Sequence, residues 1–422
     1  MKDFKNQKIF FGLLCVAELL LFTKYRNFFA EFISPVLVFL IGLSIGIIPL
    51  FFFNKQDRQL PVSASKNKPW QIAVFIGVIV LGFFSISILN RQIIKSYPID
   101  PKISDIIPLL QVMVHRAENF WYPYRTFSDF GYELFPTYLP LQWAPFIIAD
   151  KLHFDYRYLA SAIFFLSLTF LFVKIIKSNP LSFLEKLYLI ILPLLGVYAF
   201  IYYDKIVVGV SIEQMIMGYY IILATVLMTQ KNIYLRSAAV ILCLLSRFSL
   251  LFWVPLFLYS VYIFEGRKKL KQSFLFLFLS VLLIYVLPFI LKDPYVFLKS
   301  QKAYTLAALG EWGRIPSPHL SNGLGLAIYF LDFIKGDNLV KLRILQFTML
   351  GLSIVSIFIL AIYLNRKKEK LNSQIFNVSS LKILLTIFYG FIQVPYSYLY
   401  LVPLGLSFTV LFAVSKMNIN DY

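Results

Sequence analysis

Only two of the 422 residues are cysteine and only three are histidine. Cys15 and Cys243 both lie inside apolar runs, which leaves no thiol metal cluster and no disulfide framework to build. His115, His153 and His319 are too scattered for a metal site, and no metal is expected. No glycine-rich phosphate loop is present, which argues against nucleotide hydrolysis. Internal repeats, heptad arrays and low-complexity tracts are also missing. So is any inverted pair of Gly/Pro-broken apolar segments, and that absence counts against a transporter.

Apolar residues are abundant. They make up 59% of the chain and give a mean hydropathy of +0.75, which excludes an ordinary soluble domain. Several runs approach the roughly 20 residues that one bilayer-spanning helix needs. The expected fold is an all-α polytopic membrane bundle. Its spans are drawn at 8–23, 32–53, 70–89, 157–176, 187–203, 212–229, 236–249, 250–264, 273–291, 341–364, 380–394 and 398–415, about twelve in all. The net charge of +19 would suggest a nucleic-acid partner in a soluble protein. Here the excess falls in short loops between spans, where it sets topology, and no nucleic acid is expected. Lys2, Lys5 and Lys8 precede the first run, and no small-residue cleavage site follows it. Leu14, ahead of Cys15, is too large for a lipidation site, so the run is expected to stay as a helix.

The basic clusters orient the chain. Lys55, Arg58, Lys66 and Lys68 form one; Lys174, Lys177 and Lys186 another; then come Lys231 with Arg236, Arg267 to Lys271, and Arg366 to Lys370. Positive-inside bias assigns them all to the cytoplasm, leaving Lys24 and Arg26 as exceptions outside. Keeping both flanks of 235–264 inside requires a hairpin near Ser246, Arg247 and Phe248. The short apolar stretch 321–334 is then expected as an interfacial helix, with Ser321 and Asn322 at its N-cap. Two outer loops result, 90–140 and 292–341. Residues 1–69 form an N-terminal two-span segment ahead of a main domain, 70–422.

Stretch 91–140 is the longest polar interruption, and it is rich in Trp, Tyr, Phe and Pro, which favours a folded segment over disorder. Ser104-Asp105 looks like the cap of an outer helix over about 105–119. Capping alone would account for Asp105. Alternatively, a carboxylate held at the membrane rim can act as a base whose pKa is tuned by burial. Asp100 is the neighbouring candidate. Glu118, Asp129 and Glu133 are weaker, because each could simply pair with Arg116 or Arg125. The aromatics of Phe120–Tyr124 and Pro136–Leu141 suit an interfacial belt or a carbohydrate site.

An Asp opening the outer loop (Asp105), then Pro123-Tyr124, then Tyr138-Leu139-Pro140-Leu141 leading into a span, resembles the GT-C class of glycosyltransferases. The pattern is most similar to the glycosyltransferase family 87 mannosyltransferases and related bacterial membrane proteins. Leu139 departs from the commoner Tyr-Pro-Pro, and two spans precede the one feeding the loop, whereas in that family the loop typically follows the first span. The resemblance implies a bacterial inner-membrane enzyme with its site facing outside. It would move mannose or a similar sugar, with inversion, from a polyprenyl-phosphate donor to a lipid or glycan acceptor. Asp105 would be the base, with Asp100 and Asp129 as alternatives. Arg314, His319, Lys302 and Arg247 would hold the donor phosphate. Tyr122, Tyr124, Tyr138 and Glu133 would contact substrate. No cofactor is implied, and a divalent cation, which some relatives use, is not expected. A polysaccharide polymerase or ligase would lean instead on Arg116, Arg125 and Arg314. A transporter or flippase of lipid-linked sugar would need intramembrane charges, and only Glu18, Glu213 and Arg247 stand out as such.

Overall fold

The computed structural model describes residues 2–26, 28–52, 67–314 and 317–417, with side chains from residue 8. Lys55, Arg58 and Lys66, placed above in a basic loop, lie outside the described residues. The ordered elements among the described residues are helices: α1 Lys2–Phe22, α2 Ala30–Phe52, α3 Pro69–Ser96 and α4 Ile106–Glu118 come first. Two short pieces, α5 Pro140–Trp143 and α6 Ile147–Lys151, lead into α7 Tyr156–Ile176, α8 Phe183–Tyr203 and the single turn α9 Ile206–Gly209. Then follow α10 Glu213–Thr229, α11 Ile233–Leu244, α12 Val254–Glu265, and α13 Arg267–Val281 with a π-helical continuation Leu282–Ile290. The last elements are α14 Val296–Trp312, α15 Ala327–Phe333, α16 Asn338–Lys367, α17 Ser373–Gly390 and α18 Leu401–Ser415. The one β feature among the described residues is an isolated bridge between Phe127 and Leu134.

Local chemistry sets the helix starts. Asp155, Asn232, Asp337 and Asn372 each accept a backbone N–H from the first turn they precede, while Ser182 and Glu185 form a capping box at α8. Among the described residues seven helices are long and apolar enough to cross a membrane: α2, α3, α7, α8, α13 with its π continuation, α16, and α18 with the turn before it. This is fewer than the twelve spans drawn from hydropathy. Three of the others, α10, α11 and α12, are apolar but shorter. At 12 residues, α11 and α12 each rise only about 18 Å, short of a bilayer's hydrocarbon core of about 30 Å. Helix α18 is buried all round, whereas α3, α13 and α16 keep most of their apolar surface outside the protein, as helices facing lipid do.

The N-terminal pair is built into the bundle: α2 lies along α17 and α1 against α18. Lys382 of α17 and Glu18 of α1 pair at 2.6 Å, both essentially inaccessible to solvent. The Lys382 ammonium also donates to the Pro403 carbonyl, and Ser407 donates to the second oxygen of Glu18. Lys382 is a buried charge that the sequence reading overlooked.

Long-range bonds sort the loops into two ends. At one end Arg26 pairs with Asp204 at 2.9 Å, and Arg157 donates to the carbonyls of Tyr97 and Gly209. Tyr122 donates to the Phe289 carbonyl, and Trp312 to that of Gln393. At the opposite end Lys8 reaches the Ser415 carbonyl, Lys186 bonds Asn67, and Lys416 reaches the Met228 carbonyl. Arg236 and Glu265, which bracket 236–265, pair at 2.5 Å at this same end. The chain therefore rises through α11, turns at Ser246–Phe252 and descends through α12. The charge-balanced stretch 91–140 stands at the first end, and the basic clusters flank the second.

Candidate functional site

Helix α4 is amphipathic. Leu109, Leu110, Met113 and Val114 are buried beneath it, while Gln111, His115 and Arg116 face outward. Asp105 occupies its N-cap position but makes no side-chain capping bond. The Ser104 hydroxyl accepts the Ile106 N–H instead. The Asp105 carboxylate accepts a hydrogen bond from the Tyr132 hydroxyl at 3.3 Å. Burial pushes its pKa above the ordinary carboxylate value, and the Tyr132 bond partly offsets that shift. The capping explanation of Asp105 therefore fails, and a partly buried carboxylate remains available.

The groups around Asp105 come from distant parts of the chain. Tyr138 is close enough that burial first, and the Asp105 charge second, hold its phenol well above the usual range. Tyr396 is raised in the same way, by burial, then by Glu311 and Asp105. Tyr396 stacks on Tyr398 with ring centroids 5.4 Å apart, and the His319 ring meets its edge at 4.6 Å. Burial lowers the His319 pKa, against the nearby Glu311 charge, so its imidazole is neutral near pH 7 and acts as a hydrogen-bond partner. Arg314 pairs with Glu311 at 2.8 Å and is largely exposed.

Arg247 projects from the tip of the α11–α12 hairpin, on extended backbone between α11 and a 3-10 turn, Phe248–Phe252. It pairs with Glu213 in the first turn of α10, where the positive end of the helix favours a carboxylate. The tip is fastened to α5 by a 2.9 Å bond from the Leu141 N–H to the Leu245 carbonyl. Several buried polar atoms in this region have no hydrogen-bond partner among the described residues: Glu213 Oε2, Arg247 Nε, Glu311 Oε2 and Gln393 Oε1. Buried polar atoms are normally satisfied, so each of these four can still make a hydrogen bond to a polar ligand or water.

The remaining candidates are placed differently. The Asp100 carboxylate closes its own turn by accepting the Lys102 N–H at 2.9 Å. Asp129 is exposed beside Arg116, and Glu133 is exposed. Glu118 lies against Asp150, a like charge, rather than pairing with an arginine. Tyr122 and Tyr124 commit their hydroxyls to the carbonyls of Phe289 and Tyr138, so Tyr122 ties the loop to the bundle and Tyr124 ties the loop to itself. Lys302 is exposed on α14. Asn322 does not cap a helix. Its side chain donates to the Pro395 carbonyl and accepts the Leu324 N–H, and the short helix begins only at Ala327. Gly325 between them has φ +69°, and a Cβ there would meet Pro395 at 2.7 Å, so the turn needs glycine.

Sequence reasoning passed over Tyr132 and Glu311. Glu311 had a signal in its proximity to Arg314 and His319, but Tyr132 had none beyond lying in the same loop. Among the described residues no group of three His, Cys, Asp or Glu side chains is placed to hold a metal ion. Fold and site together define a multi-pass helical membrane protein with a polar, aromatic-lined site at one end of its bundle. The chain matches no family model, no curated protein and no solved structure.

Proposed function

We propose that the protein is an inverting glycosyltransferase of GT-C type that uses a polyprenyl-phosphate sugar, mannose or a similar monosaccharide, at the outer face of a bacterial inner membrane. The observation that carries this reading is the Asp105 carboxylate, left uncapping at the head of α4, held by Tyr132 and raised in pKa by burial. In the proposed reaction Asp105 removes the acceptor hydroxyl proton. The resulting oxygen attacks the anomeric carbon, and the bond from that carbon to the phosphate oxygen breaks. The lipid phosphate leaves with the bonding pair, and configuration inverts. Arg247 is the best-supported phosphate partner, since it is fixed by Glu213 and keeps an unpaired Nε. Arg314 adds a second charge, and His319 a neutral hydrogen bond. Tyr138 and Tyr396, held protonated by their surroundings, can donate to sugar oxygens.

Asp105→Asn should reduce sugar transfer from a polyprenyl-phosphate donor by about 10²–10⁴-fold while the protein still inserts and folds. Wild-type transfer in that variant would remove the assignment. Transport of a lipid-linked sugar has one feature in its favour, the intramembrane Glu18–Lys382 pair. Both partners are fully bonded to each other, Ser407 and Pro403, which suits a brace better than a relay.

A further inference from the structure

A second feature on the outer end is not accounted for by the Asp105 site. A cleft of about 540 Å³ runs along the outward face of α4, its lining divided between apolar residues, among them Ile99, Pro101 and Phe130, and the polar Gln111, His115, Arg116 and Asp129 beside Trp121. That volume falls within the range of small-molecule sites. On α4 the lining residues Pro108, Val112 and His115 recur at helical spacing, and Asp105 begins the same stripe, three residues before Pro108. From Asp105 to His115 the helix rises about 15 Å.

The far end of the cleft is built at a conformational cost. The Trp121 N–H bonds the Arg116 carbonyl at 2.7 Å and the Phe120 N–H the Ala117 carbonyl, a Schellman closure of α4. The left-handed position of that motif ordinarily holds Gly or Asn. Here it holds Phe120, at φ +57° and 96% exposed. A bulky aromatic in that conformation costs on the order of 1 kcal/mol or more, and packing against the protein returns nothing. Trp121 beside it is 63% exposed. The cleft thus combines an exposed indole face with hydrogen-bonding groups of both polarities. Its opposite charges, Arg116 and Asp129, lie close enough to influence each other. This chemistry suits a neutral, hydroxyl-rich chain with apolar ring faces. A strong anion would meet Asp129, and acyl chains would meet four polar side chains.

We infer that this cleft binds a neutral oligosaccharide, stacked on Trp121 and hydrogen-bonded by Gln111, His115 and Asp129, as the acceptor whose terminal sugar reaches Asp105. The role as acceptor rests on the transferase reading; the binding does not. The test uses the full chain in phosphatidylcholine nanodiscs, with mannopentaose, cellopentaose and chitopentaose as probes in saturation-transfer NMR titrations. At least one probe should bind saturably. Its affinity should fall about 10-fold in Trp121→Ala and fall in Asp129→Asn. Trp121 is exposed, so its loss should leave the fold intact. Absence of saturable binding by all three sugars, or undiminished binding by Trp121→Ala, would overturn the proposal. So would a Trp121 dependence seen only with anionic lipid and not with sugar, which would make the tip a membrane anchor. If the sugar binds as expected yet the wild-type protein transfers nothing to it from a polyprenyl-phosphate donor, the cleft stands and the transferase reading falls.

Discussion

A carboxylate one residue ahead of a helix is ordinarily explained by the cap it makes, but Asp105 makes none. Its oxygens instead face Tyr132 and a group of tyrosines whose phenols stay protonated. Two expectations follow from the direction of its shift. A base works only when deprotonated, so the acid limb of kcat/KM should lie above the ordinary aspartate value of about 3.9. Tyr132→Phe removes the bond that opposes the shift and should move that limb further up. A limb that moves down in that variant, measured across a pH series, would contradict the placement of the hydroxyl. Stability carries the opposite sign from a salt-bridged aspartate. The folded protein holds this proton more tightly than the unfolded chain does. The contribution is therefore fully present below about pH 4 and is lost as pH rises through the raised value. Asp105→Asn should accordingly be more stable than wild type in thermal unfolding at neutral pH and no different at pH 3.

At the scale of elements, the α11–α12 hairpin shows what patterning could and could not supply. Charge at both flanks of 235–264 already required a turn near Arg247, and the chain turns there. The short reach of the two helices was less legible, since an apolar run reports burial and not whether its ends reach both membrane faces. The cap of the 321–334 stretch was misplaced because Asn322 finds its partner at Pro395, more than 70 residues away. No local signal encodes such a bond. The same holds for the pairing of Arg247 with Glu213 and the contact of His319 with Tyr396, which only the packed bundle brings together. With Arg247 fixed at a hairpin tip, its planar fork matters as much as its charge. Arg247→Lys keeps the charge but loses the bidentate geometry. Sugar transfer should fall about 10²-fold, with a melting temperature close to wild type. Unchanged transfer in that variant would exclude Arg247 as the phosphate clamp.

For the whole molecule, composition alone announced an all-helical membrane bundle, because no other architecture satisfies the backbone of so apolar a chain without strands closed into a barrel. What composition did not announce is how the N-terminal pair of helices belongs to it. Residues 1–69 read as an N-terminal two-span segment, and Glu18 of α1 within it is the partner of a lysine buried at the centre of α17. Removing either charge leaves the other isolated in a low-dielectric interior, whereas replacing both with apolar groups of similar volume is often neutral. Lys382→Met should therefore lower stability by about 3–5 kcal/mol, and Glu18→Met by a similar amount. The double substitution should recover most of that loss in thermal unfolding of the detergent-solubilised protein. If the pair is only a brace between the two N-terminal helices and the rest, the recovered double variant should also transfer sugar at the wild-type rate. A double variant that melts normally but has lost its activity would show that the charges do more than hold α1 in place. The transport reading would then deserve the stronger claim on this fold.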